Sequence, residues 1–236
     1  MEGHAMYICG LQKLAMVDYP GKIAATVFTG GCNLRCPFCH NALLVTRLSE
    51  TPEIPQAEVL DFLRSRKGLL DGVVLSGGEP LMQPDAADFL RSVRDLGFAV
   101  KLDTNGCYPD RLAALLEEGL VDYVAMDIKN CREKYGETVG IPNFDTAPVE
   151  ESVRLLRSPG VEYEFRTTLV RELHRPQDLV AIGEWLKGSP RYYLQNFEDS
   201  GNTIKSGLNG FTALELQDFA ALAAPFFGRV TVRGAD

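Results

Sequence analysis

The sequence predicts an α/β protein whose strands lie side by side in a parallel sheet. Three observations carry that reading. Short apolar runs of strand type alternate with stretches whose apolar residues recur at helical spacing, from residue 23 to near the C-terminus. Strands separated by helices at this rhythm form βα units with right-handed crossovers. The least ordinary sequences fall one after another just beyond strands, where α/β barrels carry their functional groups.

Taken in order, residues 23–28 read as a buried strand that ends in a glycine- and cysteine-rich loop, and 49–55 as a polar, proline-containing connection. Residues 56–63 have helical spacing, 72–76 form a short strand ending in Gly77-Gly78-Glu79-Pro80, and 85–96 form a helix stopped by Gly97. The strand at 98–102 runs into Asp103-Thr104-Asn105-Gly106. The helix at 109–118 has Pro109 suitably placed in its first turn. The strand at 121–126 leads to Asp127-Ile128-Lys129, and 131–144 is the least regular stretch, read as a surface loop over the mouth of the fold. A helix at 149–156, a strand at 163–170, a helix at 177–186 and a strand at 192–197 continue the alternation. A glycine-rich loop at 198–210 follows. Thr212 with Glu215 makes a capping box for a helix to Ala223, and 230–233 reads as a last short strand. Six βα units thus precede the terminal strand, fewer than the eight of a closed barrel.

Composition sets the outer limits. The chain has 236 residues, 45% of them hydrophobic, enough for one sizeable core in a single domain. Its 24 Lys and Arg against 32 Asp and Glu leave a net charge of −8 with no basic block, which argues against a nucleic-acid groove. An ordinary acidic surface accounts for that charge. No apolar run approaches the roughly 18 residues of a membrane helix, and the N-terminus lacks the layout of a signal peptide. Cytoplasm is therefore the expected compartment, without a membrane partner. Residues 1–6 are left out of the fold reading.

The sharpest local signal is Gly30-Gly31-Cys32-Asn33-Leu34-Arg35-Cys36-Pro37-Phe38-Cys39-His40-Asn41. Three thiols at a spacing of Cys-x3-Cys-x2-Cys let one loop wrap a compact centre, and the two glycines allow close backbone approach. Structural zinc calls for four ligands, and no second cysteine or histidine pair follows. An iron–sulfur cube suits thiolates best, and with three of them one iron stays open to a non-protein ligand. Zinc, and ordinary core or redox cysteines, stay open at this point. Cys107 and Cys131 are conceivable further ligands. Gly77-Gly78 would serve equally well as a tight turn, and each aspartate as a loop cap or salt-bridge partner. Arg166 lies mid-strand in an apolar run, so it needs an anionic partner: a bound ligand, Glu164 or an acidic neighbouring strand. His174 reads as a solvated loop histidine.

Cys32-x3-Cys36-x-Phe38-Cys39, with its aromatic residue before the third cysteine, resembles the signature of the radical S-adenosylmethionine (SAM) superfamily. His40-Asn41 directly after it is similar to the activating enzymes of glycyl-radical enzymes. The runs Gly10-Leu11-Gln12-Lys13, Val17-Asp18-Tyr19-Pro20-Gly21-Lys22 and Thr29-Gly30-Gly31-Cys32 resemble the activating proteins of anaerobic ribonucleoside-triphosphate reductases. The similarity extends over nearly the whole chain.

This resemblance implies a partial (β/α)6 TIM-like barrel of parallel strands over 23–197, with a lead-in at 1–22 and a C-terminal extension at 198–236. It implies a [4Fe-4S] cluster on Cys32, Cys36 and Cys39, with SAM on the remaining iron. Gly77, Gly78 and Glu79 would hold the SAM amino group, and Lys129 its carboxylate. Asp103 and Asn105 belong to the same cofactor site. Arg166 would reach the carboxylate or ribose, Phe38 would lie near the adenine, and His40 would belong to the same cofactor site. Asn196, where a pyruvate formate-lyase activating relative has a histidine, would meet the ribose. Asp103, Thr104, Asp127 and the carbonyl of Ala125 match positions that bind a monovalent cation, Na+ or K+, in that relative. The implied reaction is reductive SAM cleavage to a 5′-deoxyadenosyl radical, which takes hydrogen from a partner's glycine. Anaerobic ribonucleotide reductase is the expected partner, with a flavodoxin- or ferredoxin-type electron donor. Activation of another glycyl-radical enzyme, radical chemistry on a small molecule, and a non-enzymatic thiol metal-binding scaffold are the alternatives.

Overall fold

The structure is a computed structural model that describes residues 6–158 and 160–234. Residues 1–5, set aside in the sequence reading, lie outside the described residues. Eight strands form one sheet in strict chain order. They are β1 (Ile8–Ala15), β2 (Ala24–Thr29), β3 (Gly72–Gly77), β4 (Ala99–Thr104), β5 (Tyr123–Asp127), β6 (Glu162–Leu169), β7 (Arg191–Asn196) and β8 (Arg229–Arg233). β1 and β2 are antiparallel, and every later neighbouring pair is parallel. Each crossover therefore steps one strand along in the same direction, as in a TIM barrel. β1 and β8 stay at opposite edges, so the barrel is partial.

The helices are α1 (Ala42–Thr46), α2 (Gln56–Ser65), α3 (Ala86–Asp95), α4 (Pro109–Glu117), α5 (Tyr135–Thr138), α6 (Ala147–Leu156), α7 (Pro176–Leu186) and α8 (Ala213–Ala223). α3 shows why such segments are helical: Ala86, Phe89, Leu90 and Val93 recur on one face, and all four are buried. Val73, Val74 and Leu75 are fully buried on both faces of β3, which is why the parallel strands read as apolar runs.

Strand periodicity then divides the two faces of the sheet. Val73, Leu75, Val100, Leu102, Val124 and Met126 join the main core with the helices. On the opposite face, Val74 and Tyr123 form a separate small cluster with Tyr19 and Ala24. Further along that inner face stand Ser76, Asp103, Asp127 and Arg166, toward the C-terminal ends of their strands.

Three features depart from the sequence reading. β1 was not anticipated; it carries three exposed residues in a row and a glycine against which the Phe28 ring packs. Together with β8 it makes the lead-in and the C-terminal extension contributors to the same sheet. Residues 131–144 are not a plain surface loop, because they contain α5 and bury Tyr135 and Val139 completely. Tyr135 stacks on Phe144 with ring centroids 5.4 Å apart. Among the described residues no helix is long and apolar enough to cross a membrane.

Candidate functional site

The cysteine loop leaves β2 and is tied to four other parts of the chain. The Gly30 N–H donates to the Tyr7 carbonyl at 2.9 Å, and Arg35 N–H to that of Val139 at 3.0 Å. Lys205 N–H donates to the Pro37 carbonyl at 2.9 Å. His40 Nε2 bonds the Glu198 carbonyl at 2.8 Å, and its ring stacks on Phe197 at 5.3 Å. The fourth attachment is the glycine pair after β3. Gly78 N–H donates to Thr29 O at 2.9 Å and Glu79 N–H to Gly31 O at 2.8 Å. Gly77 has a φ of +123° and lies so close to Thr29 that a Cβ would overlap its backbone. These glycines let the second strand-end loop dock directly on the first.

The result is a cleft of about 250 Å³ at the C-terminal ends of the parallel strands. Cys32, Cys36, Phe38, Cys39 and His40 line it from the cysteine loop, with Gly77 and Gly78 beside them. Asp103, Thr104, Asn105, Asp127, Lys129 and Arg166 line it from β4, β5, β6 and the segments that follow β4 and β5. All three cysteines are free thiols. Burial pushes Cys32 up to about 11 and Cys36 up to about 12, and it raises Cys39 as well. Loading a metal therefore releases their protons. Among the described residues, no three His, Cys, Asp or Glu side chains converge as the ligands of a single ion. A cube fits this donor set better, because each thiolate binds its own iron and the sulfurs stay apart. Cys107 and Cys131 are not in the cleft lining; Cys131 Sγ faces Asp178 at 3.7 Å.

Opposite the thiols lies an ion-pair network. Arg166 Nε donates to Asp127 Oδ1 at 2.9 Å, and its Nη1 lies 3.5 Å from Asp103 Oδ2. Lys129 Nζ donates to Asp127 Oδ2 at 3.0 Å, Lys101 Nζ to Asp103 Oδ1, and Ser76 Oγ to Asp103 Oδ2 at 3.1 Å. Burial alone would raise the Asp127 carboxyl, but Arg166 and Lys129 hold it down to about 2. Burial likewise works against the charged Lys129, yet Asp127 keeps its ammonium above the usual lysine range. Three cations against two carboxylates leave one positive charge, suited to an anionic ligand group. Arg166 thus takes the acidic neighbouring strands as its partners.

Several expected roles change with the coordinates. Glu79 is fully buried and absent from the lining. Its carboxyl accepts from Leu81 N–H (3.0 Å), Thr104 Oγ1 (2.7 Å) and Asn105 N–H (2.7 Å). Burial pushes its pKa up to about 7 against those three bonds. It is a clamp between the β3 and β4 loops. Asn196 is also outside the lining: its amide donates to Phe211 O at 3.0 Å and accepts from Phe211 N–H at 2.9 Å. Gln195 and Thr168 line the cleft instead. Asn105 Nδ2 faces Cys32 Sγ at 3.7 Å and donates to Asn33 Oδ1 at 2.9 Å. Of the cation set, Ala125 is not in the lining, the Thr104 hydroxyl is committed to Glu79, and both carboxylates already carry cationic partners. His174 is not solvated; it is fully buried. Lys101 was missed, although a lysine inside the apolar run 98–102 carries the same signal as Arg166.

Residues 26–180 match the Radical SAM superfamily. Over 234 residues the chain is 31% identical to a protein of Methanocaldococcus jannaschii named "Putative glycyl-radical enzyme activating enzyme MJ1227", covering 96% of this chain and 95% of that one. It is 34% identical over 173 residues to 7-carboxy-7-deazaguanine synthase of Methanopyrus kandleri, covering 65% of each. With the pyruvate formate-lyase-activating enzyme of Listeria monocytogenes it shares 29% over 194 residues, 76% of this chain and 75% of that one. The crystal structure of Streptococcus suis SuiB bound to S-adenosylmethionine has the same fold, with a TM-score of 0.69 at 15% identity. That match covers 86% of this chain and 48% of SuiB.

Proposed function

This chain belongs to the radical SAM superfamily, and from that membership we propose that it activates a glycyl-radical enzyme, namely anaerobic ribonucleoside-triphosphate reductase. Membership implies a [4Fe-4S] cluster and SAM as cofactors. The observation that carries the reading is the cleft itself: three free thiols face a cation-rich wall at the strand ends. When bound, the cluster supplies the electron that splits SAM into methionine and a 5′-deoxyadenosyl radical able to take hydrogen from a glycine Cα.

The chain's own share is geometry. Cys32, Cys36 and Cys39 would hold the cluster and, being three, would leave one iron for SAM. Lys129 and Arg166 present the surplus positive charge to the methionine carboxylate. Gly77 and Gly78 offer bare backbone to the ammonium, and Phe38 an apolar face to the adenine. Side chains already neutralise Asp103 and Asp127, so the reading does not require Na+ or K+. The choice of reductase rests on the runs at 10–13, 17–22 and 29–32, and a flavodoxin- or ferredoxin-type protein is the proposed electron donor.

The test is anaerobic incubation of the reconstituted chain with SAM, a reductant and the purified reductase. A glycyl radical seen by electron paramagnetic resonance, together with 5′-deoxyadenosine, is the expected result. Radical formation on pyruvate formate-lyase but not on the reductase would move the partner. The likeness to 7-carboxy-7-deazaguanine synthase favours a second reading, a small-molecule substrate. It would be supported by nucleoside formation that depends on a metabolite and not on either protein.

A further inference from the structure

Lys129 sits in a short segment that leaves β5, and its backbone is held in an unusual way. Its N–H donates to the Tyr135 hydroxyl at 3.3 Å, and its carbonyl bonds His174 Nε2 at 2.9 Å. Both partners are fully buried side chains, Tyr135 from the start of α5 and His174 from the loop between β6 and α7. His174 Nδ1 lies 3.1 Å from Val170 N and 3.3 Å from Val170 O; in the tautomer that accepts from Val170 N–H, the proton sits on Nε2 and points at Lys129 O. The residues on either side are pinned as well. Thr167 Oγ1 donates to Ile128 O at 2.7 Å, and Asn130 Nδ2 to Thr138 Oγ1 at 2.8 Å. No ordinary strand or helix ladder supplies these bonds.

We propose that His174 and Tyr135 are positioning residues that clamp the Lys129 backbone and so aim its ammonium into the cleft. A lysine has four rotatable side-chain bonds, so a shift at its Cα moves the charged end unless the main chain is fixed. A clamp on both backbone atoms removes the first source of that freedom. The clamp belongs to the candidate site although neither side chain lines it. The inference rests on the reading of Lys129 as the partner of the SAM carboxylate.

The experiment is a double-mutant cycle on anaerobically reconstituted full-length chain, with SAM affinity read by equilibrium dialysis. Hydrogen exchange of residues 127–131 gives a second readout that does not depend on SAM. His174→Phe keeps a planar ring, larger than the imidazole, and removes both bonds; Tyr135→Phe removes one hydroxyl. Each is expected to weaken SAM binding about tenfold, on the scale of one lost buried hydrogen bond. Lys129→Ala is expected to lose at least as much, and His174→Phe added to it to lose nothing more. His174→Gln, which can still donate to the carbonyl, is expected to recover part of the loss. Exchange at 127–131 is expected to quicken in His174→Phe. Normal affinity and unchanged exchange in both single variants would overturn the clamp, as would a full extra penalty on top of Lys129→Ala. If His174→Phe fails to fold, the Tyr135→Phe cycle decides. If Lys129→Ala binds SAM normally, the reading of Lys129 has failed, and exchange still judges the clamp.

Discussion

At the scale of single residues, the tightest constraint on the site is a missing methyl group. A Cβ on Gly78 would lie 1.9 Å from the Gly31 carbonyl oxygen, so the two strand-end loops could not touch with alanine there. Gly78→Ala is expected to cut iron bound per chain several-fold after reconstitution while the melting temperature of the apo chain stays within a few degrees. Full iron loading would show that the contact is dispensable. His174 gives a pH signature. Burial lowers its pKa below 6.5, so above that pH it is neutral whether folded or unfolded. Below it, the unfolded chain takes up a proton that folded His174 resists, so stability falls as the pH drops. Asp178 opposes this shift and Lys134 adds to it. Urea denaturation between pH 7.5 and 5.5 is expected to show a steeper loss for wild type than for His174→Phe; equal slopes would refute it. Residue-level legibility was uneven for a physical reason. Arg166 stood out because a cation in an apolar run must find an anion. His174 reaches the Lys129 carbonyl and Asn196 the Phe211 backbone, both well separated in sequence, and no local pattern records that.

At the scale of elements, the segment between β7 and α8 acts as a strap over the cysteine loop. Its base is fastened by the paired Asn196–Phe211 bonds, and it touches the loop through Glu198 and Lys205. Asn196→Ala removes both bonds of the base and is expected to cost about 2 kcal/mol in urea denaturation. It should also speed protease cutting within 198–210. Unchanged stability and cutting would mean that the strap is held elsewhere. Thr212 is the N-cap of α8, accepting from Glu215 N–H at 3.3 Å. Thr212→Ala is expected to cost about 1 kcal/mol in the same assay. That capping box was readable in advance because its donors and acceptors are three residues apart. β1 was not readable, since an edge strand with one wet side and a glycine shows neither an apolar run nor clean alternation. α5 was hidden likewise, being a single turn whose buried tyrosine packs on partners distant in sequence.

At the scale of the whole molecule, the parallel sheet was legible because its central strands are covered on both faces and so read as apolar runs. The alternation gave the βα units, and the family resemblance implied the barrel order they follow, with the functional loops at the C-terminal strand ends. What the linear sequence withheld was the electrostatic closure of the cleft. Lys101 and Arg166 approach Asp103 from its own strand and from the next but one, and only the register of β4, β5 and β6 brings them together. The central claim is a metal centre with three cysteine anchors and one corner left for SAM. Electron paramagnetic resonance of the reduced, reconstituted chain before and after SAM addition tests it most directly. The account expects a [4Fe-4S] signal that shifts when SAM is added and is absent from the Cys32, Cys36 and Cys39 triple alanine variant. A signal indifferent to SAM, or one that vanishes only when Cys107 is also replaced, would contradict it.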